Sequence, residues 1–255
     1  MEMTSKRTLQ ARSVASVLTT IVLWEVAARA GLASPLFLPA FTTVMVEWWS
    51  VFVDGSLPSD LITSLFRAFA GLFAATIVGV LLGIAMARSR LVHWMFDPII
   101  ALAFPSPKIA FLPIFILWFG IYSISKILLV AFACVFPIAI GTYAAASAVN
   151  RVWVWSAYSL GTSKLVLLVR VILPGAWPRI FAALRVALPI SLITTFTAEM
   201  VGGGGGMGAT LMYSQRFFES PTVFAYILTM LAAGLLLDAT MLKVQDLFPA
   251  WRENA

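Results

Sequence analysis

The sequence predicts an all-α membrane protein with six transmembrane helices. Hydrophobic residues make up 61% of the 255 residues, charged residues make up 11%, and the mean hydropathy is +0.98. A soluble domain is usually about half apolar and about a quarter charged, so this composition places the chain in a bilayer. Its length leaves no room for a separate soluble domain, and we predict a single transmembrane domain over residues 1–255.

Six apolar runs are long enough to cross the hydrocarbon core, which takes about 20 helical residues. They lie at about 13–31, 64–87, 98–120, 126–147, 181–201 and 222–242. The first run contains Glu25 and Arg29. A signal peptide is the alternative interpretation there, since basic residues precede the run and Ala28-Arg29-Ala30 resembles a cleavage site. We favour an uncleaved anchor, because the charges fall where a signal peptide is most apolar.

The basic residues orient these helices. With the amino terminus in the cytoplasm, the inner side holds twelve of the 17 Lys and Arg residues, namely Lys6, Arg7, Arg12, Arg88, Arg90, Arg151, Lys164, Arg170, Arg179, Arg185, Lys243 and Arg252. The outer side holds Arg29, Arg67, Lys126 and Arg216. Cytoplasmic loops of membrane proteins are enriched in Lys and Arg. The pattern predicts that both termini and the loop at about 148–180 are cytoplasmic, and the net charge of +6 does not indicate a nucleic-acid partner.

The outer segment at 32–63 is too short and too interrupted to span the membrane. It opens with Pro35 and Pro39 and continues into an apolar stretch that contains Trp48 and Trp49. Tryptophan prefers the headgroup level of a bilayer, so we expect an interfacial helix. Docking of a partner on this segment is the alternative.

The second run contains glycines that are common in membrane helices, whereas the third run is unusual. Gly71, Gly79 and Gly83 lie in the second run, and small residues let membrane helices pack closely. The third run is interrupted by Phe104-Pro105-Ser106-Pro107-Lys108. Proline breaks a helix, and broken backbone at membrane depth requires surrounding protein or a water-filled cavity. Lys108 is therefore a candidate functional residue, or else it extends to the cytoplasmic interface.

The fifth run ends in a polar stretch. Thr194, Thr195 and Thr197 precede Glu199, and five glycines follow at 202–206. The threonines and Glu199 either line a polar path, or Glu199 pairs with a neighbouring helix. The glycines predict the end of the helix and a mobile outer loop. The candidate pathway residues are therefore Lys108, Thr194, Thr195 and Glu199. In the sixth run, Asp238 is expected to pair with Lys243.

Motifs of catalysis are missing from this sequence. It has no GxxxxGK[ST] phosphate loop, no GxSxG or HExxH motif, and no Cys or His spacing typical of a metal site. The single Cys134 cannot form an internal disulfide. We therefore expect no enzymatic activity and no cofactor in the chain itself.

The predicted cytoplasmic loop is more structured than most loops between membrane helices. We expect two short helices, at about 152–160 and 163–171, that meet at Gly161, since glycine can adopt the positive φ of a sharp turn. Pro174 is expected to stop the second helix. Five basic side chains lie between Arg151 and Arg185. A compact basic loop of this kind indicates a docking surface for a partner.

This loop resembles the cytoplasmic EAA loop of bacterial ABC importer permeases. That pattern reads Glu-Ala-Ala, three residues, Gly, nine residues, Ile, one residue, Leu-Pro. Ala157, Gly161, Leu173 and Pro174 match it, Val171 replaces Ile, and Trp155 and Ser156 depart from Glu and Ala. Other segments resemble the sulfonate/nitrate/taurine branch of these permeases: 64–67 leading to Gly71, 107–113, 118–127 and 198–200.

The resemblance implies a type I importer fold and several partners. These are cytoplasmic ABC ATPase subunits, an extracytoplasmic solute-binding protein, a second copy of the chain and the lipids of a bacterial inner membrane. ATP hydrolysis would belong to the separate ATPase. The coupling residues would be Trp155, Ser156, Ala157, Gly161, Val171, Leu173 and Pro174. An aromatic contact of Trp155 would replace the polar contact of the usual Glu, since Trp is common at interface hot spots.

The cargo that the resemblance favours is a small anion such as a sulfonate, taurine or nitrate, although the branch also includes permeases for pyrimidine and flavin-type vitamins and aromatic acids. The cargo's identity is not encoded in a recognisable motif. A self-sufficient secondary transporter or channel is the alternative function. That class is expected to show inverted repeats or several charges along a coupling path, and this sequence shows neither.

Overall fold

A computed structural model describes residues 2–246, with side chains described for Arg12 and for residues 15–245. All regular structure in this range is helical. The α-helices are α1 (Glu2–Arg29), α2 (Phe41–Val53), α3 (Ser56–Arg88), α4 (Arg90–Ala103), α5 (Leu112–Phe119), α6 (Ser123–Ser147), α7 (Arg151–Ser159), α8 (Lys164–Leu167), α9 (Leu173–Gly202), α10 (Met207–Arg216) and α11 (Ser220–Asp246). A 3₁₀ turn covers Lys108–Phe111, and a π turn covers Leu168–Ile172.

Four of the helical stretches described are long and apolar enough to cross a membrane: Ser56–Arg88, Ser123–Ser147, Lys164–Gly202 and Ser220–Gln245. They coincide with four of the predicted spans. The predicted first span falls on α1, which is not among them, so the count of six stays a prediction. The predicted cytoplasmic carboxy terminus, with Arg252, lies outside the residues described.

The third predicted span is a bent pair of helices. Arg90–Ala103 and Lys108–Phe119 meet at an angle of 97°, and the two prolines Pro105 and Pro107 lie in the break between them. The predicted interruption is confirmed. The first helix of the pair begins before the predicted span, since Ser89 alone separates α3 from α4 and its hydroxyl accepts a hydrogen bond from the Val92 N–H.

The chain divides into two compact units. One consists of the described residues up to Asp60 together with Thr210–Leu231, and the other consists of Leu61–Ala209 together with the described residues from Ala232 onward. In the first unit, the indole of Trp48 donates to Thr229 Oγ1 at 2.9 Å, and Asp60 accepts from Thr210 and Tyr226. The predicted helix in segment 32–63 is confirmed as α2, which is 13 residues long.

The second unit is built on close packing of α3, α6 and α9. A Cβ placed on Gly71 or Gly79 would overlap Val130 or Ile138, and one on Gly83 would lie 2.6 Å from the Ala139 carbonyl oxygen. The predicted packing role of these glycines is confirmed, since helix backbones approach each other where side chains are absent. Beneath α6, a buried cluster continues into α8 and α9 through Leu167, Ile172, Ala176 and Ile180.

Candidate functional site

The segment from Arg151 to Pro174 forms a compact helical hairpin, which we call the docking segment. The side chain of Asn150 caps α7 by accepting from the Val152 N–H at 2.9 Å, and Ser163 caps α8 by accepting from Val166. Between them, Gly161 has a φ of +72°. Thr162 donates to the Ala157 carbonyl and Gly161 donates to the Tyr158 carbonyl. These two bonds complete a glycine-terminated helix end, so the predicted turn at Gly161 is confirmed.

Pro174 does not stop the second helix, so that prediction is wrong. The helical stretch continues from Lys164 to Gly202. Proline is tolerated in the first turn of a helix, where its missing N–H loses little, and Pro174 stands in the first turn of α9. The π turn at Leu168–Ile172 lets the Leu173 N–H reach back to the Leu168 carbonyl. The predicted fifth span at about 181–201 lies within this helical stretch, which begins 17 residues earlier.

The docking segment has a buried face and an exposed apolar face. Ala157, Leu167 and Ile172 are buried in the cluster beneath α6, and Val171 and Leu173 pack against that cluster. On the opposite face, Trp155 is 63% exposed and Leu160 is 84% exposed. Ser156, Gly161 and Pro174 are also exposed. The buried face fixes the hairpin to the membrane helices, and the exposed face remains available for a partner.

A shallow groove runs along that exposed face. It has a volume of about 510 Å³ and is lined by Val152, Trp155, Ser156, Ser159 and Leu160. A second cavity of about 670 Å³ is lined by residues that include Trp153, Arg170 and Arg179. Apolar grooves that are bordered by charged residues are typical of protein interaction sites.

A buried polar cluster joins α3 to the end of α9. Arg67 Nη1 donates to Glu199 Oε1 at 2.7 Å, and the Ser64 hydroxyl donates to Glu199 Oε2 at 2.7 Å. The exposed fractions of Ser64, Arg67 and Glu199 are 0%, 3% and 0%. Two alternatives were open for Glu199, and the structure shows the one in which it pairs with a neighbouring helix. We call this group the Arg67–Glu199 cluster.

The glycine run is bound to this cluster. Arg67 donates to the carbonyls of Gly204 and Gly205 at 2.8 and 2.7 Å, and the Gly208 N–H donates to Glu199 Oε2 at 3.1 Å. The residues Gly203 to Gly206 all have positive φ, between +61° and +95°. The expected mobile loop is therefore held by side chains from two helices, and its conformation requires glycine.

Arg67 and Lys126, two of the four basic residues predicted to lie on the outer side of the membrane, are not surface charges of the chain. Both are buried, at 3% and 0% exposure. Lys126 donates to the Ile121 carbonyl at 2.6 Å from the first turn of α6. Asp238 was predicted to pair with Lys243, but its partner is Arg185, at 3.1 Å. Asp238 lies on α11 and Arg185 lies on α9, so this ion pair joins two helices.

The four candidate pathway residues separate in the structure. Lys108 and Thr194 border a cavity of about 420 Å³, together with Phe104, Ile109, Ile190 and Thr197. Thr195 is fully buried, and its hydroxyl donates to the Ser191 carbonyl of its own helix. Glu199 lies in the Arg67–Glu199 cluster. The cavity therefore contains two of the four residues, along with Thr197.

Most of this sequence matches a known protein family. The family described as binding-protein-dependent transport system inner membrane component matches residues 75–245. This chain belongs to that family. The match includes the docking segment, α9 and the glycine run.

Several permease proteins are similar to this chain over most of its length. The taurine transport system permease protein TauC of Escherichia coli (strain K12) is 34% identical over 244 residues, which cover 94% of this chain and 89% of that protein. The putative aliphatic sulfonates transport permease protein SsuC of Bacillus subtilis (strain 168) is 30% identical, covering 92% of this chain and 85% of that protein. These relatives confirm the predicted resemblance to permeases of the sulfonate/nitrate/taurine type.

Solved transporters share the fold. The inward-facing MetNI methionine ABC transporter matches with a TM-score of 0.69 at 14% identity, covering 76% of this chain and 96% of that chain. An amino acid ABC transporter matches with a TM-score of 0.60 at 20% identity, covering 80% and 95%. The predicted type I importer fold is confirmed. The chain is a multi-pass inner membrane permease, a transport component rather than an enzyme.

The sequence analysis did not predict that Arg67 pairs with Glu199 and binds the glycine run. Arg67 and Ser64 had been noted as part of a family resemblance, and Glu199 as a possible paired carboxylate. A signal was available, because two opposite charges within apolar runs, Arg67 in the second and Glu199 in the fifth, are costly unless they are paired. The distance in sequence between Arg67 and Glu199 hid that pairing.

Proposed function

We propose that this permease is the membrane-spanning subunit of an ATP-driven importer for a small organic anion of the sulfonate kind. Separate ABC ATPase subunits hydrolyse the ATP, a solute-binding protein delivers the cargo from outside, and two copies of this chain form the translocation path. Both termini and the docking segment lie on the cytoplasmic side. The twelve-to-four distribution of basic residues supports this orientation.

The observation that carries the proposal is the exposed apolar face of the docking segment. Trp155 is 63% exposed and Leu165 is 71% exposed, on a hairpin whose opposite face is fully packed. A large apolar surface on a cytoplasmic element is costly in water and is typical of a binding site. Trp155 stands where the family pattern has Glu, so the contact with the ATPase is aromatic in this chain.

Continuity of the helix supports coupling between the docking segment and the transport path. The helical stretch Lys164–Gly202 is 39 residues long, which corresponds to about 58 Å at 1.5 Å per residue. One end carries the docking segment, and the other end carries Glu199 and the glycine run. A rigid displacement of α8 by the ATPase therefore reaches the far end of α9 without passing through a flexible loop.

The cargo class rests on two similar proteins and on one charge. The relatives in Escherichia coli and Bacillus subtilis are named for taurine and aliphatic sulfonates, and Lys108 lines an open cavity beside α9. A cation beside broken backbone favours an anionic solute electrostatically. Most of the selection for one particular anion takes place on the binding protein.

The test compares the chain alone with the assembled complex. The purified chain is expected to hydrolyse no ATP and to move no solute. Coexpressed with its ABC ATPase, it is expected to copurify with that subunit, and ligand-loaded binding protein should raise the ATPase rate of the complex. Gradient-driven flux of ethanesulfonate through vesicles that contain only this chain would contradict the proposal and support a secondary transporter or channel.

A further inference from the structure

The cavity at Lys108 lies between the broken third span and α9. Its walls are mainly apolar, with Phe104, Ile109 and Ile190 among them, and its volume is about 420 Å³. Thr194 and Thr197 add two hydroxyls on successive turns of α9. Lys108 is the charged residue among those that line it. The cavity therefore combines one cation, two hydroxyls and an apolar surface.

Lys108 has no carboxylate partner in the described part of the chain. The ion pairs found there join Glu25 to Arg29, Arg67 to Glu199, and Arg185 to Asp238. The ammonium of Lys108 donates to the Phe104 carbonyl that the break in the helix leaves free, and it lies 5.4 Å from the ring centroid of Phe104. These contacts orient the ammonium, but they do not neutralise its charge.

An ammonium in this position is costly without an anion. A cation within a membrane-spanning segment is generally paired or lines a water-filled cavity. The two cations that are buried in this unit meet protein acceptors, Arg67 with Glu199 and Lys126 with a carbonyl. Lys108 is half-buried and lines the cavity, so an anion that neutralises it would come from outside the chain.

We propose that the Lys108 cavity binds a small organic monoanion, a short alkanesulfonate, during its passage through the permease. The sulfonate oxygens accept hydrogen bonds from Lys108 and Thr194, and the alkyl body lies on the wall formed by Ile109 and Ile190. An aminosulfonate such as taurine fits less well, because no carboxylate in the cavity receives its ammonium. This inference rests on the proposed function, since it names the cargo class for the same transport path.

Cysteine labelling tests the electrostatics of the cavity without depending on the ATPase. The single Cys134 is fully buried, so the unmodified chain serves as the unlabelled background. Thr194→Cys places a thiol in the cavity. The full chain, in phosphatidylcholine nanodiscs, is treated with an anionic sulfonatoethyl methanethiosulfonate or with a cationic trimethylammonioethyl methanethiosulfonate. The mass of the permease chain reports the labelling rate.

We expect the anionic reagent to react faster than the cationic one in Thr194→Cys. Adding Lys108→Met is expected to lower the ratio of the two rates by about tenfold, the lower end of what a charged cleft gives. Lys108→Arg should preserve the ratio. Lys243→Met, the same substitution at an exposed lysine of the same unit, should leave it unchanged. Ethanesulfonate should slow the labelling, and taurine should slow it less.

Several results would overturn the inference. A rate ratio that is unaffected by Lys108→Met would show that the lysine does not act on the cavity. Equal protection by ethanesulfonate and taurine would remove the preference for a monoanion. Protection that appears only when phosphatidylglycerol is added to the nanodiscs would assign the cavity to a lipid headgroup. If the chain fails to bind its ATPase while the labelling pattern holds, the proposed function fails and the anion site stands.

Discussion

Arg67 Nη1 lies 2.7 Å from Glu199 Oε1, and the two residues are 132 positions apart in the sequence. The pair is buried, and the same guanidinium also holds the carbonyls of Gly204 and Gly205. One ion pair therefore fixes both the contact between α3 and α9 and the path of the glycine run. This cluster lies at the opposite end of the long helical stretch from the docking segment.

Arg67→Met is expected to lower the free energy of unfolding by about 3–5 kcal/mol, because removal of one partner leaves a buried carboxylate without compensation. Arg185→Met is the matched control. Its ion pair with Asp238 is partly exposed, at 36% and 43%, so its loss should cost at most about 1 kcal/mol. The measurement is the monodisperse fraction of detergent-purified protein after heating.

The double variant Arg67→Met with Glu199→Met distinguishes the loss of the charge pair from the loss of the surrounding hydrogen bonds. Replacing both members of a buried ion pair by apolar side chains is often less damaging than removing one. We therefore expect the double variant to be more heat-resistant than Arg67→Met alone. If it is less stable than either single variant, the hydrogen bonds to Ser64, Gly205 and Gly208 outweigh the charge pairing.

Two glycines of the same run should respond differently to alanine. Gly205 and Gly206 have φ values of +78° and +95°, which cost an alanine about 1–2 kcal/mol each. A Cβ on Gly205 meets open space, whereas one on Gly206 would lie 2.6 Å from the Glu199 carboxyl carbon. Gly206→Ala is expected to destabilise the protein more than Gly205→Ala in the same heating assay. Equal effects would show that the glycine run is not seated on Glu199.

Trp155→Ala is expected to weaken ATPase docking by about 2 kcal/mol or more, as truncation of an aromatic hot spot does. Because Trp155 is 63% exposed, the isolated permease should keep its stability. Trp155→Glu, the residue of the family pattern, should not restore docking if the partner surface is apolar. The affinity for the ATPase can be measured by titration in detergent.

The control for Trp155 is another exposed tryptophan in the same unit. Trp118 is 67% exposed, on α5, so Trp118→Ala removes the same side chain outside the docking segment. It should leave ATPase affinity unchanged. Loss of affinity in both variants would point to a general effect of removing a large apolar side chain.

Gly161→Val tests the turn of the docking segment. Its φ of +72° disfavours a β-branched residue, and open space surrounds it, so the cost is conformational, about 1–2 kcal/mol or more. Gly161→Asn should be tolerated better, since Asn adopts left-handed backbone more readily. Copurification of the ATPase should fall for the Val variant and largely persist for the Asn variant. If ATPase stimulation is unchanged in both variants, the turn at Gly161 is not required for docking.

The sequence predicted the helical architecture well because its strongest signals are local. The apolar runs, the proline break before Lys108 and the positive φ at Gly161 each depend on a few neighbouring residues. Pro174 was misjudged because its effect depends on its place within a helix and on the preceding π turn. A rule that proline stops a helix takes no account of either.

The polar contacts were harder to predict because they join distant parts of the chain. Glu199 had two equally plausible environments until α3 was placed beside α9. Asp238 was assigned to Lys243 from sequence proximity, whereas the packing of α11 brings it to Arg185. Positive-inside counting assigns Arg67 and Lys126 to a side of the membrane but contains no term for burial, so it could not predict that both are enclosed by the chain. Tertiary packing decides these cases.

The most direct test of the proposed function is uptake by reconstituted vesicles. Proteoliposomes that contain this permease and its ATPase receive ATP on the side of the docking segment and ligand-loaded binding protein on the other side. We predict accumulation of a labelled alkanesulfonate that requires ATP, the ATPase and the binding protein, and that is lost when Gly161→Val prevents docking. Accumulation that continues without ATP or the ATPase would contradict the assignment of this chain as an ABC importer permease.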